Sequence, residues 1–158
     1  MSVIVDVLVE DEGWEALGDV EGACERAVAA AVALHPVEGE AVLALLLADD
    51  ATLADLNIRF RGKRKPTNVL SFPAAPEDTP PGQPRLLGDV ALARETVLAE
   101  AREQGKPAID HMIHLVVHGT LHILGYDHED EADAAIMEGL EVQALAALGI
   151  ADPYRDAA

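Results

Sequence analysis

His118, His122 and His128 are the residues whose type and spacing point most directly to chemistry; they lie in the run HGTLHILGYDH at 118–128. On a helix, His118 and His122 project from one face, one turn apart, so two imidazole nitrogens can reach one metal ion. Gly125 stands where a helix needs a residue tolerant of positive φ to reverse direction. Reversal there returns His128 over the same face as a third ligand. Three protein nitrogens with an open fourth position is the arrangement of catalytic rather than structural zinc. Imidazole also suits copper, iron and nickel, so zinc is expected on availability and redox silence. Ordinary histidines on a half-buried helix are the bland alternative. Three within eleven residues, with a helix-stop glycine between the second and third, weigh against it.

The spacing H-x-x-x-H-x-x-G-x-x-H is that of the long signature of zincin-type metalloproteases, in which glutamate follows the first histidine as general base. Here that position is Gly119, which cannot move a proton. Peptide hydrolysis by the usual route is therefore not expected. His114, one turn before His118, shares its face and is a candidate to orient a ligand or shuttle a proton. His111 reads as a structural histidine.

The net charge of −18 argues against polyanion binding until its distribution is considered. Five of the eleven Lys and Arg residues fall between 59 and 65: Arg59, Arg61, Lys63, Arg64 and Lys65. Any anionic ligand would be steered to this window. A solvated basic loop is the competing reading.

These residues need elements to position them. VIVDVLV at 3–9 reads as a strand, 20–34 as an alanine-rich helix ended by His35-Pro36, and 41–48 as a buried strand. Asp49, Asp50 and Thr52 offer an N-cap for a helix over 52–60. Strands are expected at 67–72 and 86–93, with a proline-rich loop at 74–85 between them. Helices follow at 94–104, 107–124 and 129–148, closing at Gly105, Gly125 and Gly149. The tail at 151–158 reads as frayed. The expected architecture is one α+β domain over 1–158: a small mixed sheet packed with helices, the metal site on a helix of the C-terminal half. Trp14, Tyr154 and Met137 read as packing or surface residues, and Tyr126 as core packing. The lone Cys24 excludes an internal disulfide, and no stretch is long and apolar enough to span a membrane. With no secretory leader legible at the start, the expected compartment is the cytosol.

HGTLHILGYDH resembles the signature of the YbeY family of single-strand endoribonucleases, also called rRNA maturation factors. LNIRFRGKRKPTNVLSFP at 56–73 and LLGDVALA at 86–93 resemble two further blocks of that family, in the right order. Asn68 stands where the family often has aspartate. The resemblance implies one zinc ion held by His118, His122 and His128, and a functionally important arginine at Arg61 that contacts RNA phosphate. It implies rRNA trimming at the 3′ end of the small-subunit RNA, ribosome quality control, and association with the small subunit and an assembly GTPase. The expected chemistry is metal-assisted phosphodiester hydrolysis, with the Arg61 fork stabilising transition-state charge and the basic window holding flanking single-stranded RNA. His114, Asp127 and Asp89 are candidates for the proton acceptor. Aromatics make up 3% of the chain, so base stacking should be minor and sequence specificity low. A non-enzymatic zinc-containing assembly factor and another metal hydrolase are the alternatives.

Overall fold

Burial alternates residue by residue along β1, Ser2–Val9, because successive side chains of a strand face opposite sides. In this computed structural model, which describes residues 2–62 and 67–155, that strand pairs in parallel with β2, Glu40–Ala48. The side chain of Arg61 and residues 63–66 lie outside the described part, so the expectations for Arg61, Lys63, Arg64 and Lys65 meet no side-chain geometry.

The connection between the two strands is α1, Val20–Leu34, capped by the Asp19 carboxylate, which accepts from Gly22 N–H. Next comes α2, Asp50–Arg61, longer at its start than the sequence suggested because Asp49 takes the N-cap and accepts from Thr52 N–H at 2.8 Å. Two strands follow, β3 at Val69–Pro73 and β4 at Arg85–Ala93. The rest is helical: α3, Arg94–Gln104, α4, Ala108–Ile123, and α5, Glu131–Ala147. A short 3-10 turn at Pro76–Asp78 interrupts the loop expected at 74–85. A second, Glu12–Leu17, was not anticipated; it buries Trp14, whose indole N–H donates to the Ala48 carbonyl at 2.8 Å.

The described residues form a mixed four-stranded sheet in the order β1-β2-β4-β3, parallel except for the antiparallel β3–β4 pair. One face carries Leu43, Leu45, Leu47, Val90 and Leu92 against α1 and α4, with α5 packed on both helices. The other carries Leu46, Ala48, Ala91 and Ala93 and is covered by α2 through Leu53 and Leu56. A register shift between Val42 and Leu43 keeps Val90 on the α4 side and Asp89 on the opposite side. The α+β mixed sheet expected from sequence is observed.

Candidate metal centre

Helix α4 can lie close to the sheet because residue 119 has no side chain. A Cβ there would stand 2.8 Å from Val90 Cγ1 and 3.0 Å from Ser71 Oγ. The Ser71 hydroxyl donates to the Gly119 carbonyl at 3.2 Å, fixing the helix against the edge strand. The glycine that replaces a protease's glutamate is thus a packing requirement, and the position faces sheet rather than cleft.

The helix ends in a Schellman turn. Gly125 has φ +106°, its N–H bonds the His122 carbonyl, and Tyr126 N–H reaches the Leu121 carbonyl, both at 3.0 Å. Tyr126 also holds His35 at the end of α1, with its hydroxyl 2.9 Å from Nδ1. The reversal brings the His128 ring within 5.6 Å of the His118 ring and 5.0 Å of the His122 ring, centroid to centroid.

His118 Nε2 and His122 Nε2 are 3.1 Å apart, and one nitrogen of each of the three rings lies within 4.8 Å of the others. Two nitrogens sharing a tetrahedral zinc at roughly 2.0–2.1 Å stand about 3.3 Å apart. The donor set therefore fits such an ion, and the three histidines could hold one. Burial, then the neighbouring His118 and His128, push the His122 pKa down, favouring the neutral imidazole that a metal requires. Asp127 lies on the Nδ1 side of two of these rings, 3.8 Å from His128 Nδ1 and 4.0 Å from His122 Nδ1, and accepts from the His128 backbone N–H at 2.7 Å.

The histidines open onto a cleft of about 790 Å³ whose opposite wall is β3, through Val69 and Ser71, with Asn57 of α2 and Asn68 nearby. Tyr126 and Asp127 also line it. Of the other groups singled out in the sequence, Arg59 is exposed on α2 and pairs with Asp55 at 3.6 Å. Asp89 is not at the site: it faces the far side of the sheet, in a groove with Asp6, Leu8 and Phe72, where burial raises its pKa. Alternation along β4 puts it there, since its neighbour Val90 faces α4. His111 is buried, and its Nε2 lies 2.9 Å from Glu100. His114 lines a smaller groove behind His118, with Nε2 2.7 Å from Glu141 Oε1.

Sequence reading missed Glu141. It is 1% exposed on the inward face of α5, and its Oε1 also lies 3.3 Å from His118 Nδ1 and 2.8 Å from the Tyr154 hydroxyl. Burial alone would raise its pKa, but the hydrogen bonds from His114, His118 and Tyr154 hold it down to about 2. The available signal was a lone acid in the inward column Met137, Ala144, Leu145. Residues 151–155 of the stretch read as frayed are described, and Tyr154 is anchored to α5; 156–158 lie outside the described residues.

A family model described as Endoribonuclease YbeY matches residues 9–149. A protein of Paramagnetospirillum magneticum named Endoribonuclease YbeY is 53% identical, covering 98% of each chain. One of the same name from Azorhizobium caulinodans is 53% identical over 95% of each chain, and one from a Chelativorans species 51% identical over 95% of this chain and 92% of its own. A Thermotoga maritima protein solved in solution shares the fold at a TM-score of 0.55 and 23% identity, covering 97% of this chain and all of the other. With a histidine cluster on a helix-and-turn frame and relatives matched along nearly its whole length, the chain belongs to the YbeY endoribonuclease family.

Proposed function

We propose that residues 1–158 act as one zinc-dependent endoribonuclease unit that cuts single-stranded RNA during rRNA maturation. The observation carrying this reading is the convergence of three imidazole nitrogens beside an open cleft, the ligand number that catalytic zinc sites use. The name shared by the relatives supports RNA as the substrate. When bound, the ion supplies Lewis acidity at a phosphoryl oxygen and a nucleophile at neutral pH.

The protein's own groups do the rest. His118, His122 and His128 hold the ion, and the wall of β3 excludes water from one side of the scissile phosphate. Asp127, the acid that lines the cleft among the described residues, accepts the proton of the attacking water on its carboxylate. Arg61 presents a planar fork to the phosphate and stabilises charge as it develops. Arg59, Lys63, Arg64 and Lys65 attract the flanking backbone; the window they form is bracketed in the sequence by Asn57 and Thr67, both of which line the cleft.

The physiological substrate is the 3′ end of the small-subunit RNA. The small ribosomal subunit and an assembly GTPase are the partners, in the cytosol. No described helix is long and apolar enough to cross a membrane. Cleavage assays on rRNA fragments test the reading. Wild-type protein should cut the single-stranded form and spare the same sequence in a duplex, and His118→Ala should cut neither. Equal cutting of both forms, or full activity of His118→Ala, would refute it.

A further inference from the structure

The chemistry around Glu141 is unusual for a residue that does not face the cleft. Its carboxylate is almost fully buried on α5, and a single oxygen, Oε1, lies within 3.3 Å of three groups: His114 Nε2, the Tyr154 hydroxyl and His118 Nδ1. An ionised carboxylate only accepts hydrogen bonds, so each of these groups donates to it. A buried carboxylate is tolerated only when paired or hydrogen-bonded in this way.

The consequence for His118 is specific. A proton on Nδ1, drawn to Glu141, leaves Nε2 as a bare lone pair, and Nε2 is the atom 3.1 Å from His122 Nε2. Glu141 thereby selects both the tautomer and the ring orientation of one ligand. A metal-ligating histidine whose second nitrogen donates to a carboxylate is held rigidly and made more basic.

The segment that follows α5 completes this device. Past Gly149 the backbone turns back, with Ile150 N–H on the Leu145 carbonyl at 2.9 Å. The Asp152 side chain then accepts from Tyr154 N–H at 2.8 Å, and that turn delivers the phenol to Glu141. His114 closes the other side, its ring edge-on to Tyr154 at 5.6 Å.

We propose that Glu141, held by Tyr154 and His114, is the positioning residue of the metal centre, and that the docked C-terminal segment is part of the metal-binding apparatus. The assignment rests on the three-histidine centre of the proposed function and is independent of which RNA is cut. Zinc titration against a competing chelator, with two-bond proton–nitrogen correlation spectra of the histidine rings, tests it on the full-length protein. In metal-free wild type, His118 should show the Nδ1–H tautomer. Glu141→Gln keeps the side-chain shape but loses the charge, and should bind zinc about 10–100-fold more weakly. Tyr154→Phe keeps the ring and removes only the hydroxyl; it should weaken zinc binding several-fold. Glu103→Gln, an exposed acid on α3, should leave affinity unchanged and so controls for net charge. An Nε2–H tautomer at His118, or zinc affinity within twofold of wild type for both Glu141→Gln and Tyr154→Phe, would overturn the proposal while leaving the metal centre intact. Wild-type protein that binds no zinc would overturn both.

Discussion

Helix α4 carries two pairs of histidines that meet different fates. In its first half, His111 and His114 each end on a carboxylate, Glu100 at 2.9 Å and Glu141 at 2.7 Å. In its second half, His118 and His122 end on each other at 3.1 Å, with His128 beside them. His114 and His118 have the same four-residue spacing as His118 and His122, yet only the second of these pairs turns two Nε2 atoms toward a common point. What stands opposite decides the outcome. Helices α3 and α5 offer acids to the Nε2 atoms of the first pair, whereas in the second Glu141 meets only His118 Nδ1 and the turn at Gly125 brings a third imidazole, His128, beside the two rings. Spacing nominates a metal ligand, and what stands across the gap decides which ring nitrogens converge.

The sharpest way to break this contrast is to delete one histidine from each half. His122→Ala should abolish stoichiometric metal and RNA cleavage, yet shift the stability of the metal-free protein by no more than about 1 kcal/mol. His111→Ala should keep the metal but lose roughly 1–3 kcal/mol, because it removes a partner from the Glu100 carboxylate. Elemental analysis and urea unfolding of both variants check this crossing, and variants that behaved alike would dissolve the distinction.

Next in size is Gly119→Glu, which restores the residue a zincin protease would carry. Its Cβ would collide with Val90 and Ser71 before the charge found any partner. We expect a loss on the order of 3 kcal/mol and a fall in Tm of about 6–12 °C, with no peptidase activity gained. A thermal melt superimposable on wild type would show that α4 has room to lift from the sheet.

A smaller effect concerns pH. Burial lowers the pKa of His111 and of His122, one from each half of the helix. Above about 6.5, the ordinary histidine value, both are neutral whether the protein is folded or unfolded. As pH falls below that, the unfolded state takes up protons that the folded state resists, so the metal-free protein should lose stability progressively until the depressed folded values are passed. Glu141 acts the same way at lower pH: its contribution is present above its ordinary value of 4.5 and is lost as pH falls toward about 2. Urea midpoints measured in chelator should therefore drop between about pH 7 and pH 5, and a flat profile would contradict the burial of these rings.

How far the sequence foretold this site follows the same division. The run from His118 to His128 was legible because helix pitch and a positive-φ glycine are local rules, and both hold. The mixed sheet was legible from strand lengths and breakers. Asp89 was misplaced because a strand's two faces are one residue apart, and only the pairing of β4 with β3 and β2 shows which face meets α4. Glu141 and Tyr154 were out of reach for another reason: they meet His114 across 27 and 40 residues of sequence, a contact set by how α5 docks. Trp14 was read as packing or surface, and only the fold shows its indole closing the end of β2.

The smallest expected effect lies in the basic window between Arg59 and Lys65. Lys63→Ala, Arg64→Ala and Lys65→Ala should each weaken RNA binding and flatten its salt dependence by roughly one unit of slope per lost contact, with cleavage at saturating RNA little changed. Arg61→Lys should instead depress turnover more than binding, because it keeps the charge and loses the fork. Normal turnover of Arg61→Lys beside a Lys65→Ala that no longer cleaves at saturating RNA would invert these roles.

The central claim is that the second half of α4 and the turn after it hold the ion on which RNA cleavage depends. Single-turnover cleavage of a single-stranded rRNA fragment, before and after metal removal and with stoichiometric zinc added back, tests it most directly. The stripped protein should not cleave, zinc addition should restore cleavage, and His118→Ala should not recover under the same conditions. Cleavage at the native rate by metal-free protein, or rescue of His118→Ala by stoichiometric zinc, would contradict it.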